Sequence, residues 1–155
     1  MHEREAAARD GRTAQIPRRR LILVVDDDPL IRDCLASALE DEGYEAITAP
    51  HGAAALQWLE QCRQAGAAQV SAIILDMRMP VMDGWAFAEA YRRTPAPHAP
   101  IVVITAAHDT DCAAQIEPAT VVAKPFDLDE LLAIVADYLR SDVDETNRAT
   151  RENAI

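Results

Sequence analysis

Residues 21–30 read LILVVDDDPL, a stretch that joins the end of a buried strand to the start of a helix. The unbroken apolar run over residues 21–25 is typical of a strand covered on both faces in a parallel sheet. Three aspartates follow, and Pro29 suits the first turn of a helix that Asp28 would cap. Apolar residues then recur at helical spacing, and Gly43 is placed to end that helix. The stretch therefore predicts a strand, an acidic turn and a helix in succession.

The same succession recurs along the rest of the chain. Apolar runs predict further strands over residues 44–49, 72–75, 101–104 and 120–123. Helical spacing of apolar residues predicts helices over residues 52–64, 85–93 and 110–116, and a last one opening at Asp127. Five strands alternating with helices predict an α/β domain with a parallel sheet that helices cover on both faces.

The two ends of the chain lack this periodicity. We expect a disordered or frayed extension over residues 1–19 and a polar C-terminal tail over residues 141–155, with the folded domain between them over residues 20–140. The N-terminus has no apolar export signal, and no run approaches the roughly 18 apolar residues of a membrane span. We therefore expect a cytoplasmic protein without a membrane span.

Charge and cysteine content narrow the classes of function. The chain has a net charge of −11, and six of its arginines fall within residues 1–20, so the remainder is even more acidic. Such an acidic body is a poor candidate for binding nucleic acid, and we expect protein partners instead. The three cysteines have no zinc-site spacing and fit free thiols in a reducing compartment.

Polar residues follow the predicted strands where open parallel sheets bind ligands, beyond the carboxyl ends. Asp26 and Asp27 follow the first strand, Asp76 the third, Thr105 the fourth and Lys124 the fifth. Carboxylates gathered at one apolar edge repel one another unless a hard cation neutralises them, and magnesium prefers such oxygen ligands. Lys124 is the only lysine of the chain, and its compact ammonium can hold positive charge beside a phosphoryl group.

Four motifs, each at the end of a predicted strand, resemble those of response-regulator receiver domains. They read VVDDDP over residues 24–29, LDMRMPVMDG over 75–84, ITA over 104–106 and KPF over 124–126. The resemblance covers about residues 20–140, and the chain is similar to single-domain receivers of the chemotaxis type. It implies a flavodoxin-like, doubly wound sheet of five parallel strands in the order 2-1-3-4-5.

The resemblance also implies a metal site at the acidic edge. Asp27 and Asp76 would bind Mg²⁺, or Mn²⁺ in its place, directly. Asp26 would bind it directly or through water, and the backbone carbonyl of Arg78 would be a further ligand. Asp83, in the same motif as Asp76, fits a turn residue better than a ligand.

By the same resemblance the chain is a signalling phospho-acceptor and not an enzyme in the ordinary sense. Asp76 would accept a phosphoryl group from a sensor histidine kinase or a histidine phosphotransfer protein. Lys124 would pair with the phosphoryl oxygens, and Thr105 would hydrogen-bond to them after transfer. The residues after 140 are too few for an output domain, so we expect a stand-alone receiver that acts on a downstream protein target, or else a fragment of a longer regulator.

Two features depart from the family pattern. Val121 stands three residues before Lys124, where receivers commonly carry a tyrosine or phenylalanine. The segment from Thr105 to Lys124 is also short and is interrupted by Pro118, which predicts a short or irregular fourth helix. Because both changes fall on the face that many receivers use to dimerise, we expect a monomer or a weak dimer.

Three alternatives stand beside this interpretation. A phosphatase of the haloacid dehalogenase type needs an acid two residues after the nucleophile, where this chain has Arg78. A nucleotide-binding fold needs a glycine-rich phosphate loop, and neither common motif occurs in the sequence. A pseudo-receiver would keep the fold without phosphorylation.

His51 and His108 lack spaced partners and fit loop or surface positions better than catalytic ones.

Overall fold

The computed structural model of the protein describes residues 19–67 and 69–153. Its strands are β1 (Leu21–Val25), β2 (Glu45–Ala49), β3 (Ala72–Asp76), β4 (Ile101–Ala106) and β5 (Thr120–Lys124). Its helices are α1 (Pro29–Asp41), α2 (Gly52–Gln64), α3 (Gly84–Arg92), α4 (Thr110–Ala113) and α5 (Leu128–Asn153). The expected N-terminal extension lies, but for residue 19, outside the described residues.

The five strands form one parallel sheet in the order β2-β1-β3-β4-β5. This confirms the predicted flavodoxin-like fold and its strand order. Parallel neighbours require crossover connections, so every strand ends at the same edge of the sheet. The residues that follow the strands therefore meet at that edge.

The central strands β1, β3 and β4 are buried on both faces, which explains their unbroken apolar runs. In β1, Leu23 and Val25 pack in the cluster that contains Phe87 of α3. The alternate residues of the same strand pack in a second cluster, with Leu35 of α1 and Leu131 of α5. Since successive strand residues point to opposite faces, a strand covered on both sides has no polar position inside it.

Short polar side chains begin the helices that follow the strands. Asp28 Oδ1 accepts a hydrogen bond from the Leu30 backbone N–H at 2.9 Å, and Asp83 Oδ1 accepts one from Ala86 N–H at 2.9 Å. His51 Nδ1 accepts from the Ala54 N–H at 3.1 Å. The predicted cap at Asp28 is thus present, and Asp83 and His51 have structural roles as helix caps.

The connection between β4 and β5 is irregular, as predicted. A 3₁₀ turn over Ala107–Asp109 leads into the single α-turn of α4, and a second 3₁₀ turn covers Ala114–Ile116. Glu117 then adopts a left-handed conformation (φ 53°) directly before Pro118. A proline at this point stops the helix, since the residue before proline avoids the right-handed helical region.

Helix α5 continues to Asn153, well past residue 140, where the sequence predicted the folded domain to end. The polar sequence beyond that point has no apolar stripe, but a helix already nucleated adds further residues at little free-energy cost. Asp129 and Glu130 in its first turn and Arg151 in its last complement the helix dipole. Residues 141–153 of the expected tail therefore have helical backbone. No described helix is long and apolar enough to cross a membrane.

Candidate functional site

Three carboxylates meet at the carboxyl edge of the sheet. Asp26 and Asp27 directly follow β1, and Asp76 ends the adjacent strand β3. One carboxylate oxygen from each residue lies within 4.8 Å of the others. Asp26 and Asp76 are buried, and Asp27 is exposed. The predicted acidic residues therefore form one cluster that opens to solvent on the side of Asp27.

Lys124, at the end of β5, reaches across this cluster. Its Nζ lies 3.1 Å from Asp26 Oδ2 and 3.5 Å from Asp76 Oδ2. Asp26 has no exposed surface, and its Oδ1 also accepts a hydrogen bond from the Asp28 N–H at 2.9 Å. The one ammonium thus contacts both buried carboxylates.

The site raises the pKa values of both Asp76 and Lys124, but for different reasons. Burial, followed by the charge of Asp26, raises the pKa of Asp76 from 3.8 to about 6, although Lys124 lowers it. Burial lowers the pKa of Lys124, but the hydrogen bond that Lys124 donates to Asp26 and the charges of Asp26 and Asp76 outweigh it and leave that pKa raised. Lys124 therefore stays charged. The raised pKa of Asp76 means that its ionised carboxylate is less stable in the site than in water.

The donor set fits a hard divalent cation. Two buried carboxylates and one exposed carboxylate supply only oxygen, and one lysine does not balance three acids. Mg²⁺ keeps several waters and uses few protein ligands, so an open acidic cluster suits it. Arg78, whose backbone carbonyl was predicted as a further ligand, lines an open cleft of about 300 Å³ together with Asp27. Its role as a ligand remains a prediction.

Thr105 lies in β4, where its side chain is fully buried. Its Oγ1 is the only buried side-chain oxygen or nitrogen of the described residues without a hydrogen-bond partner. Buried hydroxyl groups nearly always have a partner, and leaving one unpaired is unfavourable. The hydroxyl is thus a free donor within the strand that neighbours β3.

Gly84 allows the backbone to pass close to the end of β3. A Cβ atom at this position would lie 2.7 Å from the carbonyl oxygen of Asp76 and 2.7 Å from Cα of Met77. Any larger residue would therefore displace the backbone that carries Asp76. This gives a physical reason for glycine in the LDMRMPVMDG motif.

An ion pair that the sequence did not predict lies beside the acidic cluster. Arg78 Nε donates to Asp109 Oδ2 at 2.7 Å, and a second guanidinium nitrogen donates to Oδ1 at 2.8 Å. The Arg78 guanidinium also lies over the Trp85 ring, 5.4 Å from its centroid. Arg78 and Asp109 are 31 residues apart, and no local pattern links them. The position of Arg78 in the LDMRMPVMDG motif was the one sequence signal that pointed to this residue, and it did not point to Asp109.

The remaining predicted positions lie away from the cluster. His108 is exposed, with Nε2 3.6 Å from Asp109 Oδ2. Val121 is partly buried in β5 and packs against the apolar cluster that contains Phe87. The three cysteines are free, with Cys34 and Cys112 exposed.

Comparisons with known proteins agree with this geometry. The sequence profile of the response regulator receiver domain matches residues 22–136. The transcriptional regulatory protein GlrR of Escherichia coli K12 is 33% identical over 135 residues, which are 84% of this chain and 29% of GlrR. The chain therefore spans less than a third of that relative.

Solved structures with the same fold are closer to this chain in length. A putative response regulator from Chloroflexus aurantiacus is 28% identical, with a TM-score of 0.69 over 79% of this chain and 98% of that one. The chemotaxis response regulator CheY4 of Vibrio cholerae is 30% identical, with a TM-score of 0.64 over 77% of this chain and 98% of that one.

Proposed function

Because the chain belongs to the response regulator receiver domain family, we propose that Asp76 accepts a phosphoryl group and that the resulting aspartyl phosphate carries a signal. The donor is a sensor histidine kinase or a histidine phosphotransfer protein. The observation that carries the proposal is the single ammonium of Lys124 in contact with both buried carboxylates, Asp26 and Asp76. A phosphoryl group on Asp76 would add negative charge beside this fixed cation.

In the proposed reaction an oxygen of the Asp76 carboxylate attacks the phosphorus of the donor phosphohistidine. A P–O bond forms, the P–N bond breaks, and the imidazole nitrogen keeps the electron pair of that bond. The attacking carboxylate must be ionised, and a pKa of about 6 leaves most of it ionised near neutral pH. Burial keeps it poorly solvated and therefore reactive.

Asp26, Asp27 and Asp76 would hold Mg²⁺, with the Arg78 carbonyl as a further ligand. When bound, the ion would neutralise charge on the transferring phosphoryl group. Lys124 would pair with a phosphoryl oxygen through an ammonium that already lies 3.5 Å from Asp76. Thr105 would donate its partnerless hydroxyl to the same group, which would satisfy a buried donor that has no acceptor in the resting protein.

The output of this receiver is proposed to be a contact with a downstream protein. The acidic charge of the chain disfavours direct binding to nucleic acid. GlrR is a transcriptional regulatory protein of which the match covers 29%, whereas the match covers nearly the whole of CheY4. The proposed receiver works in the cytoplasm as a monomer or a weak dimer, either as a single-domain receiver similar to CheY4 or as one domain of a longer regulator, and the reactions it catalyses are its own phosphorylation and dephosphorylation.

Intact-mass measurement tests the proposal directly. The protein is incubated with acetyl phosphate and Mg²⁺, beside Asp76→Asn, the exposed control Asp33→Asn, and a sample with EDTA. We expect one added phosphoryl group in the parent chain and in Asp33→Asn, and none in Asp76→Asn or with EDTA. An unmodified parent chain, with a reactive receiver alongside as control, would contradict the proposal and favour a pseudo-receiver.

A further inference from the structure

Asp109 is a buried carboxylate outside the acidic cluster. It ends the 3₁₀ turn after β4, only 3% of its surface is exposed, and both of its oxygens accept hydrogen bonds from Arg78. Among the described residues, the other basic side chain within 4 Å of its carboxylate is the imidazole of His108, which is 79% exposed. The hydrogen bonds from Arg78 hold the pKa of Asp109 below its usual range, although burial alone would raise it. Arg78 is therefore the group that keeps this buried charge paired.

Arg78 belongs at the same time to the phosphorylation loop. It lies two residues after Asp76, and its backbone N–H, together with that of Met77, stabilises the Asp76 carboxylate. Its side chain is 67% exposed and lines the open cleft beside Asp27. One residue thus contacts the acceptor through its backbone and the β4–β5 connection through its guanidinium.

Trp85 closes the arrangement from α3. Its ring lies under the Arg78 guanidinium at 5.4 Å, and its indole Nε1–H donates to the Cys112 carbonyl of α4 at 3.2 Å. We call Arg78, Trp85 and Asp109 the clasp. It joins the phosphorylation loop to a connection built from two 3₁₀ turns and one α-turn, a geometry with weaker hydrogen bonding than a regular helix.

Phosphorylation would change the balance of charge at the clasp. Phosphorylation replaces the singly charged Asp76 carboxylate with an acyl phosphate that carries a charge of about −2 and three acceptor oxygens, and guanidinium groups bind such oxygens in bidentate fashion. Two anions would then compete for one guanidinium. If Arg78 turns toward the phosphoryl group, Asp109 is left as a buried carboxylate without a cation, which is strongly unfavourable. The connection must then move to bring Asp109 to water or to another donor.

On the basis of the proposed function, we infer that Asp109 is a positioning residue whose ion pair with Arg78 holds residues 107–116 in the resting arrangement. Phosphorylation of Asp76 opens this clasp and releases that segment.

The two tryptophans of the chain make the clasp observable. In ¹⁵N-labelled protein each gives one indole N–H resonance, and Trp85→Phe identifies the resonance of Trp85. Trp58 lies on α2, lines a cavity together with Leu59 and Tyr91, and is an internal control. On phosphorylation by acetyl phosphate and Mg²⁺, with occupancy measured by intact mass, we expect the Trp85 resonance to shift and that of Trp58 to stay. Amide hydrogen exchange within residues 107–116 should accelerate.

Asp109→Asn and its matched control Asp111→Asn, an exposed acid in the same segment, complete the test. Unphosphorylated Asp109→Asn should already show the Trp85 shift, and phosphorylation should add less than half of the parent's change, whereas Asp111→Asn should behave as the parent. A fully phosphorylated parent with an unshifted Trp85 resonance and unchanged exchange would overturn the clasp and leave the proposed function standing. A parent that gains no phosphoryl mass would overturn both. If Asp109→Asn fails to fold, the Trp85 resonance and the hydrogen exchange of the phosphorylated parent still test the clasp.

Discussion

Lys124 Nζ lies 3.1 Å from Asp26, closer than the 3.5 Å that separates it from Asp76. The lysine thus pairs first with the fully buried carboxylate and only second with the proposed acceptor. Asp76 is left with a raised pKa and incomplete charge neutralisation, whereas the fold retains a paired Asp26. The site is therefore stable enough to form and still reactive.

Replacement of Lys124 should show how much this residue contributes to the stability of the fold. Lys124→Met leaves two buried carboxylates without a cation, so we expect the metal-free protein to lose about 3 kcal/mol of unfolding free energy near pH 8. Urea denaturation in EDTA measures this loss. As a control, Arg140→Met removes an exposed pair with Asp137 and should change stability by less than about 0.5 kcal/mol. Equal losses in the two variants would contradict the structural role.

The raised pKa of Asp76 should make stability depend on pH. Its folded value of about 6 exceeds the ordinary 3.8, so between these values the folded protein binds more protons than the unfolded chain. The stability contributed by the protonated form is complete below pH 3.8 and is lost as the pH rises through 6. Two pKa units correspond to about 3 kcal/mol.

Asp76→Asn removes this titration. In EDTA, its free energy of unfolding should therefore exceed that of the parent by up to about 3 kcal/mol near pH 8, and the difference should shrink toward pH 4. Denaturation curves at several pH values provide the measurement. A difference that stays constant across this range would show that Asp76 ionises as freely as it does in the unfolded chain.

Metal binding should stabilise the parent protein and depend on the exposed acid. Mg²⁺ should raise the melting temperature, EDTA should reverse the change, and binding should weaken below pH 6, where Asp76 takes up a proton. Asp27→Asn should raise the apparent dissociation constant at least about tenfold. The exposed control Asp33→Asn on α1 should bind as the parent does, and unchanged affinity in Asp27→Asn would remove Asp27 from the site.

The partnerless hydroxyl of Thr105 predicts opposite effects in the two states. Thr105→Val keeps the shape of the side chain and deletes the unpaired group, so the resting protein should gain about 1 kcal/mol of stability. The fraction phosphorylated by acetyl phosphate should fall because the phosphoryl group loses a donor. Thr105→Ser keeps the donor and loses a methyl group, so it should be phosphorylated but less stable. A Thr105→Val variant that is destabilised would indicate a hydrogen bond in the resting state.

Two glycines on the same side of the sheet should respond differently to alanine. At Gly84 the added Cβ would meet the backbone of Asp76 and Met77 at 2.7 Å, whereas at Gly52 its nearest neighbour is Cγ of the Met82 side chain at 2.8 Å. Gly84→Ala should therefore lose about 2 kcal/mol of stability and slow phosphorylation, because the backbone must shift. Gly52→Ala should change the phosphorylation rate of the parent by no more than about twofold. Equal phosphorylation rates in Gly84→Ala and Gly52→Ala would contradict this difference between the two glycines.

The fold was predictable because the central strands are apolar up to their carboxyl ends. The run over residues 21–25 has no polar position, which is typical of a doubly covered strand, and parallel strands then place Asp26, Asp76, Thr105 and Lys124 at one edge. The sequence predicted this gathering from strand ends alone, without any contact being known. The distances within it, such as the closer approach of Lys124 to Asp26, depend on side-chain packing that no linear pattern encodes.

Two structural features could not be predicted from the sequence, and each has a physical reason. Arg78 and Asp109 meet only because β3 and β4 are neighbours in the sheet, and an arginine and an aspartate so far apart carry no periodic signal. The helix beyond residue 140 lacks an apolar stripe, and it persists because it extends a helix already anchored by Leu131, Val135 and Leu139. Long-range pairing and helix propagation are both properties of the folded chain.

The unpaired Thr105 hydroxyl has a consequence for the lifetime of the protein. A donor buried without an acceptor lowers the free energy of unfolding, so proteases that attack transiently opened molecules should degrade the parent protein faster than Thr105→Val, which lacks the unpaired group. One hydroxyl group thereby links how the molecule responds to how long it survives.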